Sequence, residues 1–296
     1  MQKYIFFARL PDFVGKVVQN QMFIIAGPQR LMADGHGIDM NNNFVPNILK
    51  GLFDIFRHIE LVDSTHLMLQ RMSEGDVSTC GHVLTADFQT GGKGQGQNRW
   101  HSEHGKNLLM SLCWCPINLE ASRQFDISMA VSLALVRLLD SLGVPEVMVK
   151  WPNDIWAGER KIAGILITNT VSGHLIANSI ISVGLNINQQ NFPSELPNPV
   201  SVSMLTGMYY DRQVIMHQLI SLLAENLKLI NSDRAGTLQP AYLARMLGYG
   251  QRRLFKIAGE IREYKIAGVD TYGRILLLHH GEAVRAYDLS EAAMVQ

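Results

Sequence analysis

The sequence has few cysteines, no net charge and no long apolar run, and each shortage excludes a class of protein. It holds three cysteines in 296 residues, Cys80, Cys113 and Cys115, so a disulfide scaffold is not expected and a reducing, cytoplasmic location is favoured. Lys plus Arg and Asp plus Glu both total 26, so overall charge does not indicate a nucleic-acid or membrane-surface partner. The first ten residues lack a signal-peptide core, and the uncharged stretch 162–194 is too polar for a spanning helix.

With 47% apolar residues, the chain can bury a sizeable core. Changes in residue composition and pattern along the chain divide it into three parts. Residues 1–58 are predicted to be an N-terminal extension of uncertain order, residues 59–247 a ligand-binding catalytic domain, and residues 248–296 a small β domain. Within the extension, 47–57 has the spacing of one short helix. A helix-turn-helix needs two such helices around a tight turn, so none is predicted.

Alternating strand-like and helix-like segments fill the middle of the chain. The 3.6-residue spacing is clearest over 127–142, where Gly143 follows as a C-cap residue. After Gly248, short β-type runs separated by glycines predict a small all-β module of barrel size. The remaining predictions are a capped helix starting at 62–65, strands at 83–88, 107–116 and 147–149, a hairpin of 163–170 with 174–186, and helices at 213–230 and 237–247.

A glycine-rich segment, Gly91 to Trp100, is the strongest sign of a ligand site. Glycine lets backbone N–H groups approach an anion closely, Lys93 and Arg99 add positive charge, and Trp100 offers a flat face for a base. The segment has neither the dinucleotide-binding nor the P-loop spacing. A flexible surface linker is the alternative, but linkers rarely interleave these residue types between two strands.

Three further segments place polar residues at strand ends. Lys150-Trp-Pro-Asn-Asp154 gathers a cation, an amide and a carboxylate that could accept a proton or hold magnesium. Lys161 enters the uncharged stretch and could neutralise a phosphate or carboxylate. Asn186 and Asn188 would be buried amides that need partners, which a purine base or a ribose could supply. Each segment also has a purely structural alternative. Residues 150–154 could form a capped turn, Lys161 could be a solvated lysine at a strand end, and the two asparagines could contact ordinary loop backbone.

Taken together, these segments resemble the motifs of biotin–protein ligases, in the same order along the chain. They stand here as Ser64-Thr65-His66, Gln89, Gly92-Lys-Gly-Gln-Gly-Gln-Asn-Arg-Trp100, Lys150–Asp154, Lys161-Ile-Ala-Gly-Ile-Leu166 and Gly184-Leu-Asn186. The resemblance covers about residues 59 to 296. It implies an α+β fold: a class II synthetase-like domain with a central mixed or antiparallel sheet and packed helices, followed by an SH3-like β-barrel.

The resemblance also implies a two-step reaction. Biotin and MgATP would form biotinyl-5′-AMP, and the biotinyl group would pass to a lysine of a biotin carboxyl carrier protein of acetyl-CoA carboxylase or a related carboxylase. Catalytic roles are expected for Lys161, Lys93 and Asp154, the last also as the magnesium ligand. Biotin would contact Ser64, Thr65, His66, Gln89, Gly92, Lys93, Gly94, Gln95, Lys161 and Gly164. ATP or AMP would contact Asn98, Arg99, Trp100, Lys150, Asn153 and Asn186.

The sequence also departs from the family pattern. His66 stands where Asn is usual, Lys93 replaces an Arg, and Gln95 and Asn98 stand where many members carry more Arg, so the loop has fewer cations. A lipoate-type ligase is the first alternative, against which the absence of an Arg-Arg-x-Ser-Gly-Gly-Gly segment counts. A biotin-responsive DNA-binding regulator is the second, and the weak basic excess of residues 1–58 disfavours DNA. A homodimer is left open, no membrane is expected, and Cys113 and Cys115 are expected to pack in the core.

Overall fold

The computed structural model describes residues 52–74, 78–232 and 234–295, all within one compact unit. Within these ranges, no helix is both long and apolar enough to cross a membrane. The helices are α1 Thr65–Ser73, α2 Phe125–Ser141, α3 Val202–Thr206, α4 Arg212–Ile230 and α5 Leu238–Arg245. The strands are β1 Ile55–Val62, β2 His82–Gln89, β3 Leu108–Trp114, β4 Val147–Lys150, β5 Asp154–Ala157, β6 Arg160–Ser172, β7 Leu175–Leu185, β8 Arg252–Ile257, β9 Glu260–Val269, β10 Ile275–Leu278, β11 Arg285–Tyr287 and β12 Ala292–Met294.

Seven strands form the central sheet, in the order β1-β2-β3-β7-β6-β5-β4. Only the β1–β2 pair is parallel; every other pair in this sheet is antiparallel. The long β6–β7 hairpin holds the middle of the sheet and aligns Gly164 with Gly184. These observations confirm the predicted α+β class with a central mixed sheet.

The two faces of this sheet carry different layers. On one face, Met110 and Leu112 of β3 join the large core that α2 and α4 complete. Because side chains alternate along a strand, the intervening Cys113 packs on the opposite face with Leu69 of α1. Helix α1 therefore covers the face on which the site described below is built.

The predicted helix at 47–57 is wrong at its C-terminal end. Ile55 and Phe56 lie in β1, which pairs in parallel with β2 through Ile55–His82 and Phe56–Val83. Partners far along the chain hold this strand, so its local sequence pattern did not reveal it. Residues 47–51, like the rest of the N-terminal extension before Leu52, lie outside the described residues.

A second, five-stranded antiparallel sheet follows, in the order β11-β10-β9-β8-β12. Its last strand, β12, was not predicted. The sheet is tied to the central domain by the Trp151 indole, which donates to the Gly273 carbonyl at 2.7 Å, and by the Gln239 side chain of α5, which donates to the Val269 carbonyl of β9 at 2.9 Å.

The cysteine prediction needs correction, because Cys80 and Cys115 form a disulfide with Cα atoms 5.6 Å apart. Strands β2 and β3 pair Val83 with Leu112. Three residues beyond this pair, the same register places Cys80 opposite Cys115. Cys115 is therefore not a free core residue. Cys113, which is free and buried, packs as expected, and burial raises the pKa of its thiol.

Candidate functional site

Small residues hollow out the α1-facing side of the central sheet. Gly164 and Gly184 are cross-strand neighbours on β6 and β7, and Ser111 of β3 pairs with Ser182 of β7 on the same face. Large side chains at these positions would fill the space above the strands. The result is a pocket of about 910 Å³.

One end of the pocket is polar and built around the start of α1. The Ser64 hydroxyl caps the helix by accepting from Leu67 N–H. Gln89 at the end of β2 accepts from both Thr65 N–H, at 2.8 Å, and the Thr65 hydroxyl, at 3.1 Å. The Ser111 hydroxyl lies 2.7 Å from Thr65 Oγ1.

His66 closes this polar end. Its Nδ1 lies 2.7 Å from Ser182 Oγ and its Nε2 lies 3.0 Å from Thr168 Oγ1. The residue is 5% exposed, and burial lowers the pKa of its imidazole, which favours the neutral ring.

The glycine-rich segment forms a small hairpin over the pocket. Gly94 N–H donates to the Asn98 carbonyl at 2.9 Å, and Trp100 N–H donates to the Gly92 carbonyl at 3.0 Å. A Cβ on Gly92 would lie 2.6 Å from the Trp100 carbonyl oxygen, so the close approach of the two chain segments requires glycine there. The segment is thus a shaped loop over the site rather than a linker.

The Trp100 ring lies directly on the glycine pair in the hollow. A Cβ on Gly184 would lie 2.4 Å from Trp100 Cε2, and one on Gly164 would lie 2.9 Å from Cζ3. Among the described residues, the buried indole nitrogen has no hydrogen-bond partner. A flat aromatic ring is therefore already accommodated on this surface.

The opposite end of the pocket carries the charges. Lys161 Nζ lies 2.6 Å from Asp154 Oδ1, and both side chains are partly exposed. Lys150 Nζ lies 4.2 Å above the Trp156 ring, and burial lowers the pKa of its ammonium while nearby Asp154 opposes that shift. Lys161 and Lys150 are therefore cations available at this end for an anionic ligand.

Asn153 braces this end against the glycine-rich loop. Its side-chain nitrogen donates to the Ile165 carbonyl at 2.8 Å and to Gln95 Oε1 at 3.1 Å. The C-terminal module also contributes to the lining, which was not predicted, through Asp288, Leu289, Ser290, Ala292, Ala293 and Met294. The site is thus shared between both parts of the chain.

The structure brings almost all of the predicted site residues to this one pocket. Gly92 and Asn186 are the two that do not line it. Asn186 is buried and donates to the Val200 carbonyl at 3.0 Å, while Val200 N–H donates to the Lys161 carbonyl. The predicted residues that do line the pocket are Ser64, Thr65, His66, Gln89, Lys93, Gly94, Gln95, Asn98, Arg99, Trp100, Lys150, Asn153, Asp154, Lys161 and Gly164.

The partners of Asn188 are loop backbone groups, which was the structural alternative. Its side-chain nitrogen donates to the Tyr210 carbonyl, and its side-chain oxygen accepts from Tyr210 N–H. The sequence analysis missed Ser182 as a pocket residue, and Ser111 as its buried partner. Their polar character in an otherwise apolar strand pair was the available signal. Only the strand register shows that they are adjacent.

Asp154 is the carboxylate from which a magnesium site was predicted. Within the described ranges, no group of three or more His, Cys, Asp or Glu side chains could hold a metal ion. A single carboxylate, already paired with Lys161, does not form a protein cage. It does fit the usual mode of Mg²⁺ binding, in which substrate phosphates and waters supply most ligands.

Comparison with known proteins agrees with this geometry. Residues 59–188 match the Biotin/lipoate A/B protein ligase family. The bifunctional ligase/repressor BirA of Salmonella typhimurium is 28% identical over 229 residues, which cover 75% of this chain and 69% of that protein. The biotin–[acetyl-CoA-carboxylase] ligase of Mycobacterium tuberculosis is 28% identical over 77% of this chain and 86% of its own length.

The fold is also found in a solved structure. A biotin protein ligase from Aquifex aeolicus, in complex with biotin and ATP, superposes with a TM-score of 0.67 at 24% identity, over 82% of this chain and all of that one. This chain therefore shares the fold of that biotin protein ligase. The chain is a homologue of the biotin–protein ligases, with the Biotin/lipoate A/B protein ligase domain in residues 59–188.

Proposed function

We propose that the protein is an ATP-dependent biotin–protein ligase that makes biotinyl-5′-AMP and transfers the biotinyl group to a lysine of a biotin carboxyl carrier protein. The observation that supports this most is the layout of a single pocket. It has a hydroxyl- and amide-lined end at α1, a glycine platform under an aromatic ring, and the Lys161–Asp154 pair at the other end. This layout suits a ligand with a polar head, a carboxylate and a flat base.

In the first step, a carboxylate oxygen of biotin attacks the α-phosphorus of ATP, and the bond to the β,γ-diphosphate breaks to release pyrophosphate. Both reactants are anionic, so the barrier includes their repulsion. Lys161, Lys93 and the N–H groups of the glycine-rich loop would offset the charge that gathers at the α-phosphate. Asp154 would hold the Lys161 ammonium in position. When bound, Mg²⁺ would neutralise phosphate charge, and Asp154 is the carboxylate that would reach it.

In the second step, a neutral carrier lysine attacks the acyl carbon, and AMP leaves. The amine must lose a proton, because a free lysine has a pKa of ~10.4. Lys150, Asp154 and Asp288 are ionisable groups that line the pocket, and we place that proton transfer at Lys150 and Asp154. Asn98, Arg99, Trp100 and Asn153 would line the adenylate side.

The finer parts of the proposal rest on the family resemblance. They are the class II synthetase-like and SH3-like descriptions of the two sheets, the domain limits at 58 and 247, a carboxylase carrier as acceptor, and a possible homodimer. The cytoplasmic location also stays a prediction.

The test is a reconstituted two-step assay. The protein is incubated with biotin and MgATP, and pyrophosphate release is followed. A biotin carboxyl carrier domain is then added, and its mass is measured. We expect biotin- and ATP-dependent pyrophosphate release and a mass gain on one lysine. Modification by lipoate in place of biotin would support the lipoate-ligase alternative, and biotin-dependent binding of DNA without carrier labelling would support the regulator.

A further inference from the structure

A chain of hydrogen bonds runs beneath the polar end of the pocket from Gln89 to Thr168. Five contacts link its members: Gln89 to Thr65, Thr65 to Ser111, Ser111 to Ser182, Ser182 to His66, and His66 to Thr168. Ser111 is fully buried, and Thr65, His66 and their serine neighbours are held between α1 and the sheet. Which hydroxyl donates at each contact determines what a ligand in the pocket encounters.

The backbone fixes one end of this chain. Thr65 N–H can only donate, so the atom of Gln89 that it meets at 2.8 Å must be the carbonyl oxygen. That oxygen accepts, so the Thr65 hydroxyl donates to it at 3.1 Å. With its hydrogen used, Thr65 must accept from Ser111, and Ser111 must in turn accept from Ser182.

The direction then reaches the imidazole. The Ser182 hydrogen points to Ser111, so Ser182 Oγ must accept from His66 Nδ1 at 2.7 Å. Nε2 is left as the acceptor for the Thr168 hydroxyl. The four hydroxyls and one ring N–H then supply five hydrogens for five contacts. If the ring hydrogen were on Nε2 instead, it would fill the contact with Thr168. The hydroxyls of Thr65, Ser111 and Ser182 would then have three hydrogens for the four remaining contacts, and one contact would have no hydrogen.

We propose that His66 is a positioning residue: its Nδ1–H donates to Ser182 and so holds the hydroxyl hydrogens of Ser182, Ser111 and Thr65 in the direction that Thr65 N–H sets at the other end. Without that N–H, the Ser182 hydroxyl could turn its hydrogen away from Ser111. Thr65 and Ser182, which line the pocket, then face a ligand with lone pairs and no free hydrogen. The Gln89 amide nitrogen lies on the side of the glycine-rich loop, where a Cβ on Gly92 would come within 3.1 Å of it. The polar end therefore offers acceptors at Thr65 and Ser182 and a donor at Gln89.

This arrangement selects a head group that brings its own N–H donors together with a carbonyl oxygen. The cyclic urea of biotin has both, whereas the dithiolane of lipoate has neither. The inference uses the proposed function only to choose biotin as the probe. His66 itself is separated from the charged end. The Lys161 side chain lies beside Gly164, which is four residues from Thr168 on β6, and at ~3.3 Å per residue that is roughly 13 Å.

The first measurement concerns the ring in the free protein and needs no ligand. Ring ¹⁵N shifts are recorded on protein labelled at histidine, and the His66 signals are assigned by their loss in His66→Asn. We expect a protonated Nδ1 and an unprotonated Nε2 at neutral pH. A ring protonated on Nε2 alone, or on both nitrogens, would overturn the proposal.

The second measurement is the binding of D-biotin by calorimetry, with the KM and kcat for biotin in pyrophosphate release. Asn keeps an N–H at the position of Nδ1, so His66→Asn should bind within about threefold of wild type. His66→Leu has a similar shape but no donor, and should bind about tenfold more weakly, as expected when one ordered hydrogen bond is lost. Its KM should rise while kcat stays within about twofold, because the reacting carboxylate lies elsewhere.

His82→Asn is the matched control, since His82 is also a buried histidine but does not line the pocket. It should leave biotin affinity unchanged. Equal losses in His66→Asn and His66→Leu, or none in His66→Leu, would contradict a role for the N–H. If His66→Leu does not fold, the ring shifts of the wild type still decide the question. If the wild type binds no biotin, the proposed function fails, and the ring shifts separately decide the direction of the hydrogen bonds.

Discussion

At the residue scale, the site depends on a few polar side chains on a sheet face where glycine and serine leave space for a pocket. The charged end consists of Lys161, Asp154 and Lys150, and Lys161 Nζ also lies 5.7 Å from the centre of the Trp100 ring. Each of these positions was predicted from the sequence. Their pairing was not, because residues that are seven or more positions apart meet only through the β5–β6 register.

Replacing Lys161 with Met should abolish most adenylate formation and leave folding nearly intact. The side chain is partly exposed, so its ion pair with Asp154 adds little to stability, about 0–1 kcal/mol. Its charge on the α-phosphate is expected to be worth at least ~10²-fold in rate. Pyrophosphate release and a thermal melt measure the two effects. Lys256→Met, an exposed lysine on β8, is the control, and near-normal release by a folded Lys161→Met protein would contradict the role assigned to Lys161.

Replacing Asp154 with Asn should slow adenylate formation more than transfer. The amide keeps the shape of the carboxylate but releases Lys161 from its 2.6 Å contact and weakens any magnesium contact. We expect adenylate formation to fall by about tenfold, as when a charged hydrogen bond is lost. Transfer from purified biotinyl-5′-AMP to the carrier should change less. If transfer alone slows, Asp154 serves only the transfer of the amine proton and has no role in adenylate formation, and if neither step slows, it only caps the strand end.

His66 should make stability depend on pH in the mildly acidic range. Burial holds the pKa of the folded ring below the ordinary value of 6.5, so the unfolded chain binds more protons as the pH falls. The stability that the neutral ring contributes is complete above about pH 6.5 and is lost as the pH falls towards the lowered pKa. Thermal melts of wild type and His66→Asn at about pH 7.5 and about pH 5.5 test this. An equal fall in melting temperature for both proteins would mean that another group titrates.

At the element scale, the sequence predicted best where a single element shows its own period. Helix α2 was found because its apolar residues repeat every three to four positions, and the β6–β7 hairpin because a Ser-Gly turn separates two apolar runs. Strand β1 was missed because it is held by parallel pairing with β2, and β12 because it has only three residues. The Ser111–Ser182 pair and the Cys80–Cys115 bond depend on strand register, which local pattern does not specify.

Adding a methyl group to the β6–β7 platform should disturb the ligand site more than the fold. In Gly184→Ala, the new Cβ would lie 2.4 Å from Trp100 Cε2, so the ring must leave the sheet surface. Alanine is tolerated in strands at least as well as glycine, so the free energy of unfolding should change by less than ~1 kcal/mol. Binding of biotin with ATP should weaken at least about tenfold, as expected for overpacking worth 1–3 kcal/mol. Gly236→Ala, which has open space around it, is the control. Unchanged binding in Gly184→Ala would show that the Trp100 position is irrelevant to the ligand.

At the scale of the whole molecule, the two sheets form one site. Trp151 lies between Lys150 and Asp154 in the sequence and donates its indole N–H to the Gly273 carbonyl of the C-terminal module at 2.7 Å. Gly273 itself lies against Phe125 at the start of α2. The C-terminal module was recognised from its glycine-separated strands, but its share in the pocket was not, because docking between modules leaves no local pattern.

Disrupting this docking should therefore lower stability and activity together. Gly273 has φ of 87°, and a Cβ there would lie 2.3 Å from Phe125 Cδ2. Gly281 has a similar φ of 71° with open space around it, so Gly281→Ala has comparable backbone strain without the clash. We expect Gly273→Ala to lose about 1–3 kcal/mol more than Gly281→Ala, as overpacking does in well-filled interiors.

The clash also moves the Gly273 carbonyl that holds Trp151, so the Lys150–Asp154 turn should lose its support and both half-reactions should slow in Gly273→Ala but not in Gly281→Ala. Chemical denaturation gives the stabilities, and pyrophosphate release and carrier labelling give the rates. A stability loss in Gly273→Ala with unchanged rates would mean that the C-terminal sheet stabilises the fold without positioning the charged end of the pocket. Equal losses in both variants would point to backbone strain alone.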